Sequence, residues 1–440
     1  MDRNAAVNEA LPPAPLPPPP PSSASVARRQ GDAPAAADSV RVLKPRRAAP
    51  ADAVRPTRAE VNLAALRHNL RVVARHAKDA GGARVWPVLK ADGYGHGAPA
   101  VARTLERAGA EGFCVALLEE AVELRDAGIR VPILVMGGYY GGAYEEIATR
   151  DLVPVVYDLS QIEGLARAAR AMGRPAHAHL KVDTGMARLG VRMSDLEQFA
   201  ERLAQYPEVR ITGLMTHLAC AEASRAEGMT GDASLEAGFT AEQVARFEQA
   251  TKRLRRVGTI DEHTIRHAAN SAALLRGDAV FDAVRPGIAL FGVSPIASSA
   301  HELRAAMRVR SEVVDLRTIE PGESVGYGAI HRATRTSRIA TLPMGYADGL
   351  SRHLSNRGHV LVHGRRAPIV GAVSMDMSMI DVTDVPGTSI RDEVVVLGAQ
   401  EGVHGKDAIT ADEMAAHGGS IAWEVLTSIS RRVPRFYREP

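Results

Sequence analysis

A (β/α)8 barrel followed by a mostly antiparallel β domain is the architecture this sequence predicts, and three observations lead there. Eight apolar, β-rich runs recur between residues 85 and 292, most of them separated by stretches of helical periodicity. No Gly-x-Gly-x-x-Gly turn follows the first run, which favours a barrel over the doubly wound open sheet that shares this alternation. Past about Leu303 the helical stretches give way to short alternating runs divided by turn signals.

In chain order, residues 1–56 come first and hold twelve of the 26 prolines. Such a segment cannot bury enough apolar surface to offset its ordering entropy, so it is expected as a disordered tail. Residues 60–63 read as a short strand entering a helix. The barrel, expected over 57–303, takes its strands from 85–91, 112–117, 131–137, 152–158, 176–184, 209–219, 265–270 and 283–292. These runs are apolar throughout, as strands covered on both faces require. Helical periodicity falls at 98–108, 118–127, 160–172, 195–206 and 240–257. The β domain, expected over 304–440, takes runs at 309–318, 324–330, 337–344, 359–362, 368–382 and 393–397, and helical stretches at 411–416 and 422–430 close the chain.

The tail takes eight of the 54 basic and five of the 51 acidic groups, leaving 46 of each in the body. A balanced body argues against nucleic acid as a partner. No apolar run approaches the ~20 residues of a membrane span. The proline run at Pro17–Pro21 stands where a secretory signal needs an apolar helix. With two cysteines, Cys114 and Cys220, in 440 residues there is no disulfide framework. The expectation is a soluble cytoplasmic protein with two buried thiols and no metal site.

Only six of the 54 basic residues are lysines, which directs attention to a lysine in an apolar setting. Lys90 ends the first barrel strand and enters the glycine-rich turn Asp92-Gly93-Tyr94-Gly95. At a barrel mouth, desolvation lowers the pKa of such an amine toward the neutral form that attacks a carbonyl, as in a Schiff-base lysine. A surface lysine is the other reading of the same spacing. The last strand tips the balance. Gly287 and Ile288 of Arg285-Pro286-Gly287-Ile288 offer backbone N–H groups, and Asn270-Ser271 opens a short helix able to bind an anion. Barrels hold phosphates after strands seven and eight, and an aldehyde-bearing phosphate opposite Lys90 describes pyridoxal 5'-phosphate.

Lys90-Ala91-Asp92-Gly93-Tyr94-Gly95-His96-Gly97 resembles the cofactor-lysine signature of the alanine racemase family. Further matches follow in the family's order: Lys181 to Gly190, Thr216-His217, His267 to Ser271, Arg285 to Gly292, Val325 to Gly328, Gly345 to Gly349, Ser374 to Met377 and Arg431 to Arg435. The resemblance runs from about residue 56 to the C-terminus. It implies a pyridoxal-phosphate-dependent racemase interconverting L- and D-alanine for cell-wall peptidoglycan, with two opposed bases, Lys90 and Tyr327. It implies that Arg285 lies beside the pyridine nitrogen and that His217 is hydrogen-bonded onward from it. An arginine there stays charged and donates, so the ring nitrogen stays unprotonated and competing reactions such as transamination are suppressed.

By the same resemblance, Tyr94, Ser271, Gly287 and Ile288 hold the phosphate, with Asn270 beside them. Arg188 pairs with the substrate carboxylate, Met375 offers it a backbone N–H, and Tyr346 and Asp376 line the entrance. Lys181 is a candidate for carbamylation. Trp423 departs from the family, where a tyrosine precedes the Glu-Val pair, and keeps open a wider racemase acting on serine or lysine. Tyr327 and Met375 fall in the β domain, far in sequence from Lys90, so a head-to-tail homodimer is implied in which each β domain completes the partner's site.

Overall fold

The computed structural model describes residues 54–137, 142–222 and 232–439, without the side chains of 232–237. The tail expected over 1–56 therefore lies outside the described residues as far as residue 53.

Eight parallel strands form the barrel: Arg84–Val85, Phe113–Val115, Ile133–Val135, Val153–Val156, Ala176–Asp183, Val209–Met215, Ile265–His267 and Ala283–Val284. The ring closes where Val88 bridges Cys114 in parallel, Leu89 N–H donating to the Cys114 carbonyl and Cys114 N–H to the Pro87 carbonyl, each at 2.8 Å. Every residue of Phe113–Val115 and Ile133–Val135 is buried, the signature of strands with side chains inside the ring and helices outside it. The helix Leu63–Asp79 shows how the outer layer forms. Asn62 caps it by accepting from Ala65 N–H at 2.9 Å, and Leu66, Leu70, Val73 and Ala77 bury one stripe. Asp158 caps Leu159–Met172, and left-handed Gly173 ends it.

The barrel expected from residue 57 needs correcting at its start. Strand Arg58–Asn62 pairs antiparallel with Met307–Glu312 and parallel with Arg435–Arg438, so it belongs to the second sheet. Ala59 and Val61 are fully buried there, and both edges of the strand find partners the barrel does not offer. That sheet runs Arg365–Pro368, His359–Val362, Glu393–Gly402, Met307–Glu312, Arg58–Asn62, Arg435–Arg438. Beside it, Asp315–Ile319, Ser337–Leu342 and Ser378–Asp381 form a three-stranded sheet.

The run expected at 309–318 is thus two strands in two sheets. The run at 324–330 is mostly a turn: Gly326 (φ 69°) and Gly328 (φ 73°) take left-handed backbone on either side of Tyr327, between the short strands Ser324–Val325 and His331–Arg332. No helix of the described residues is long and apolar enough to cross a membrane.

Candidate active site

Lys90 sits just past the first barrel strand, at the C-terminal mouth of the ring. After it the chain makes a left-handed turn through Ala91 (φ 51°), Asp92 (φ 58°), Gly93 (φ 61°) and Tyr94 (φ 51°). Three of these are non-glycine residues in a costly region, so the surroundings must hold them. Glu120 does so from the next βα unit. One carboxylate oxygen accepts from Ala91 N–H at 2.6 Å, the other from Ala116 N–H at 2.8 Å and Leu117 N–H at 3.1 Å. Asp92 secures the far side by accepting from Ala98 N–H at 2.7 Å.

A cavity of about 180 Å³ opens at this mouth, and it gathers Lys90, Tyr94, His217, Asn270, Ser271, Arg285, Gly287, Ile288 and Trp423. Ser271 Oγ accepts from Gly287 N–H at 2.9 Å, and Asn270 caps the same helix by accepting from Ala273 N–H at 3.0 Å. Gly287 has no side chain for a reason: a Cβ there would lie 2.3 Å from the Tyr94 hydroxyl. The hydroxyls of Tyr94 and Ser271 and the Gly287 backbone thus bound a cradle that a methyl group would fill, which suits a phosphate. Half-buried Trp423 closes one wall.

The electrostatics are those of a crowded cationic mouth. Burial lowers the Lys90 amine from its ordinary value and nearby Arg188 lowers it further, against a smaller opposing pull from Glu120. Lys181, 5% exposed on strand Ala176–Asp183, is drawn down to about 8 by burial and then by Arg188 and Arg285. Burial and Arg285 take His217 down to about 3, so it is neutral at physiological pH. Arg285, buried, falls only to about 10 and stays charged. Arg188 is exposed on a turn shaped by Asp183, whose carboxylate accepts from the N–H groups of Gly185, Met186 and Ala187.

The expected relay from Arg285 to His217 is corrected. Arg285 donates to His267 Nδ1 at 2.5 Å and to the carbonyls of Thr216 and Ala268 at 2.9 and 3.0 Å. Among the described residues it makes no bond to the His217 side chain, because its guanidinium reaches inward to the neighbouring strand that carries His267. The two thiols differ as well. Cys114 is buried, with burial raising its pKa to about 12, whereas Cys220 is half-buried.

Tyr327, Met375 and Tyr346 do not line this cavity. They lie on the β domain and are 72%, 52% and 40% exposed. Asp376 accepts from Arg432 at 2.7 Å. Sequence reasoning missed Glu120, which reads there as one more carboxylate on a helix. It also gave no role to His267, although that residue stands inside a matched run.

A closed parallel barrel with a lysine and a phosphate-sized cradle at its mouth, joined to an antiparallel β domain, defines the class of barrel-type pyridoxal-phosphate proteins. Residues 61–295 match the model of the alanine racemase N-terminal domain and residues 306–437 that of the alanine racemase C-terminal domain. The alanine racemase of Sorangium cellulosum is 60% identical over 392 residues, covering 88% of this chain and 100% of its own. That of Geobacter sp. is 40% identical, covering 87% and 99%. Among solved structures, the Streptomyces coelicolor alanine racemase superposes with a TM-score of 0.78 at 35% identity, covering 88% and 99%. The Bartonella henselae alanine racemase with covalently bound pyridoxal phosphate gives 0.75 at 30%, covering 87% and 99%. The chain belongs to the alanine racemase family.

Proposed function

We propose that this chain is a pyridoxal-phosphate-dependent racemase that interconverts L- and D-alanine in the cytoplasm, supplying D-alanine for peptidoglycan. The observation that carries the proposal is the cavity at the barrel mouth, where nine residues from five separate stretches of sequence converge. Relatives named alanine racemase support alanine over the wider serine or lysine range that Trp423 leaves open.

When bound, pyridoxal phosphate withdraws electrons from the substrate and so acidifies its Cα proton. Tyr94, Ser271, Gly287 and Ile288 would hold the phosphate, with Asn270 shaping the helix end beneath it and Trp423 walling the pocket. Lys90, its amine lowered by burial and Arg188, would carry the cofactor and move the Cα proton on one face. Arg285 would face the pyridine nitrogen. With a pKa of about 10 it remains a donor at neutral pH and withholds a proton from that nitrogen. His217 stands beside it as a neutral group. Arg188 and the Met375 N–H would take the substrate carboxylate, the first through paired charge-assisted bonds, with Tyr346 at the entrance.

A planar carbanion needs a second proton carrier on its opposite face. Tyr327 supplies it from a second copy of the chain in a head-to-tail homodimer, which accounts for the exposure of Tyr327, Met375 and Tyr346. In this arrangement the division into a barrel and a β domain near residue 303 is a division of labour between subunits.

Turnover of D- and L-alanine, serine and lysine by purified protein with added pyridoxal phosphate tests the reading. Alanine is expected to have the highest kcat/KM in both directions. Absence of alanine turnover, or faster turnover of serine or lysine, would refute it.

A further inference from the structure

Beneath Arg285 the barrel interior holds two histidines that the chemistry above does not use. His267 is fully buried and His179 is 2% exposed. Arg285 donates to His267 Nδ1 at 2.5 Å, and His267 Nε2 lies 2.8 Å from His179 Nδ1. The proton positions follow from donor inventory. A guanidinium has no acceptor, so His267 Nδ1 must present its lone pair. A neutral His267 then carries its hydrogen on Nε2 and donates to His179 Nδ1, which leaves the hydrogen of His179 on its own Nε2.

The packing around His179 is built for this ring. Trp86 stacks on it at 5.5 Å between centroids and 25° between planes. On the adjacent strand Gly213 leaves the necessary space, since a Cβ there would lie 2.4 Å from the imidazole. His179 also borders a cavity of about 300 Å³ at the opposite end of the barrel, with Trp86, His177 and Thr212, where water can accept its second N–H.

We propose that His179 is a positioning residue: by accepting from His267 it fixes the His267 tautomer that accepts from Arg285, and so holds the guanidinium in place at the barrel mouth. Without that acceptor, His267 Nε2–H is buried and unpaired, and the ring is free to take the other tautomer, which turns an N–H toward the arginine. The tautomer follows from the geometry alone. Its catalytic consequence rests on the proposed placement of Arg285 against the cofactor ring.

The test uses the holoenzyme labelled with ¹⁵N-histidine, the His267 signals being identified by difference from His267→Gln. Solid-state ¹⁵N spectra are expected to show His267 with bare Nδ1 and protonated Nε2. In His179→Asn the amide oxygen takes the place of Nδ1, so the tautomer survives and kcat for alanine stays within about threefold. His179→Leu offers no acceptor, and kcat is expected to fall about tenfold with KM little changed, the effect of one lost buried hydrogen bond. A His267 protonated at Nδ1 in the wild-type enzyme overturns the proposal, and so do equal losses of kcat in the Asn and Leu variants. The wild-type spectrum decides even if the Leu variant fails to fold. An enzyme with the expected tautomer but no alanine turnover would refute the proposed function and leave the tautomer standing.

Discussion

The barrel mouth and the exposed face of the β domain carry equally specific motifs, yet they are built in opposite ways. At the mouth, Lys90 rides on a left-handed turn pinned by Glu120, Arg285 is spent on three acceptors, and Gly287 is bare to admit the Tyr94 hydroxyl. On the β domain, Tyr327 stands 72% exposed on a turn with glycines on both sides, near in sequence to exposed Ile330. Preorganisation needs over-determined side chains, and the barrel mouth has them. The groups on the β domain are presented outward.

Breaking each half in turn gives the largest expected effects. Lys90→Ala is expected to abolish turnover. Tyr327→Phe keeps the ring and removes only the hydroxyl, so folding and cofactor colour should survive while racemisation falls ~10²–10⁴-fold. In heavy water, D-alanine should still exchange its Cα proton in Tyr327→Phe while exchange from L-alanine collapses. Mixing the two variants under conditions of subunit exchange should restore activity, because one site of each mixed dimer then holds both bases. Equal exchange of both enantiomers would overturn the two-base division, and mixed dimers that stay inactive despite exchanging subunits would show that the halves do not come from different subunits.

Acid should weaken the barrel through its neutral histidines. Burial holds His96 down to about 4, His179 and His217 to about 3, and His267 well below its ordinary 6.5. Each binds its proton more readily unfolded, so stability is lost as pH falls below 6.5, by up to ~1.4 kcal/mol per pH unit for each group. The urea midpoint should be lower at pH 5 than at pH 7, and an unchanged midpoint would contradict the buried, neutral assignment.

A smaller effect sharpens the mouth itself. Carbamylation of Lys181 requires the neutral amine, and a pKa of about 8 raises that fraction from about a tenth at pH 7 to about nine tenths at pH 9. At fixed dissolved ¹³CO₂, a carbamate ¹³C signal absent from Lys181→Ala should grow as the pH rises from 7 to 9. No such signal would leave Lys181 unmodified, and one that ignores pH would contradict control of the modification by the free amine. Removal of residues 1–53 is the least disruptive change and should leave kcat and the number of subunits per molecule unaltered. That truncation retains Arg55, whose guanidinium bonds both oxygens of buried Asp348 at 2.8 Å. A large loss of either quantity would mean that the tail packs on the body.

The barrel strands were legible because an apolar run between two helical stretches has few other uses. The β domain was less so, since alternating runs do not say where one sheet ends. Residues 309–318 read as one strand but turn at Val313 and Val314 into a second sheet. Nor does periodicity reveal pairing. The strand at Arg58–Asn62 looks like the opening of the barrel, and only its two partners, Met307–Glu312 and Arg435–Arg438, assign it to the other sheet.

By itself the sequence determined the ring of eight strands and the position of Lys90 at the end of the first of them, because these depend on local pattern and residue type. The tertiary structure alone decided which groups touch. It put Glu120 under the turn after Lys90, and it gave Arg285 to His267 rather than His217. A hydrogen bond between neighbouring strands depends on register and side-chain direction, which the spacing of residues along one chain does not carry.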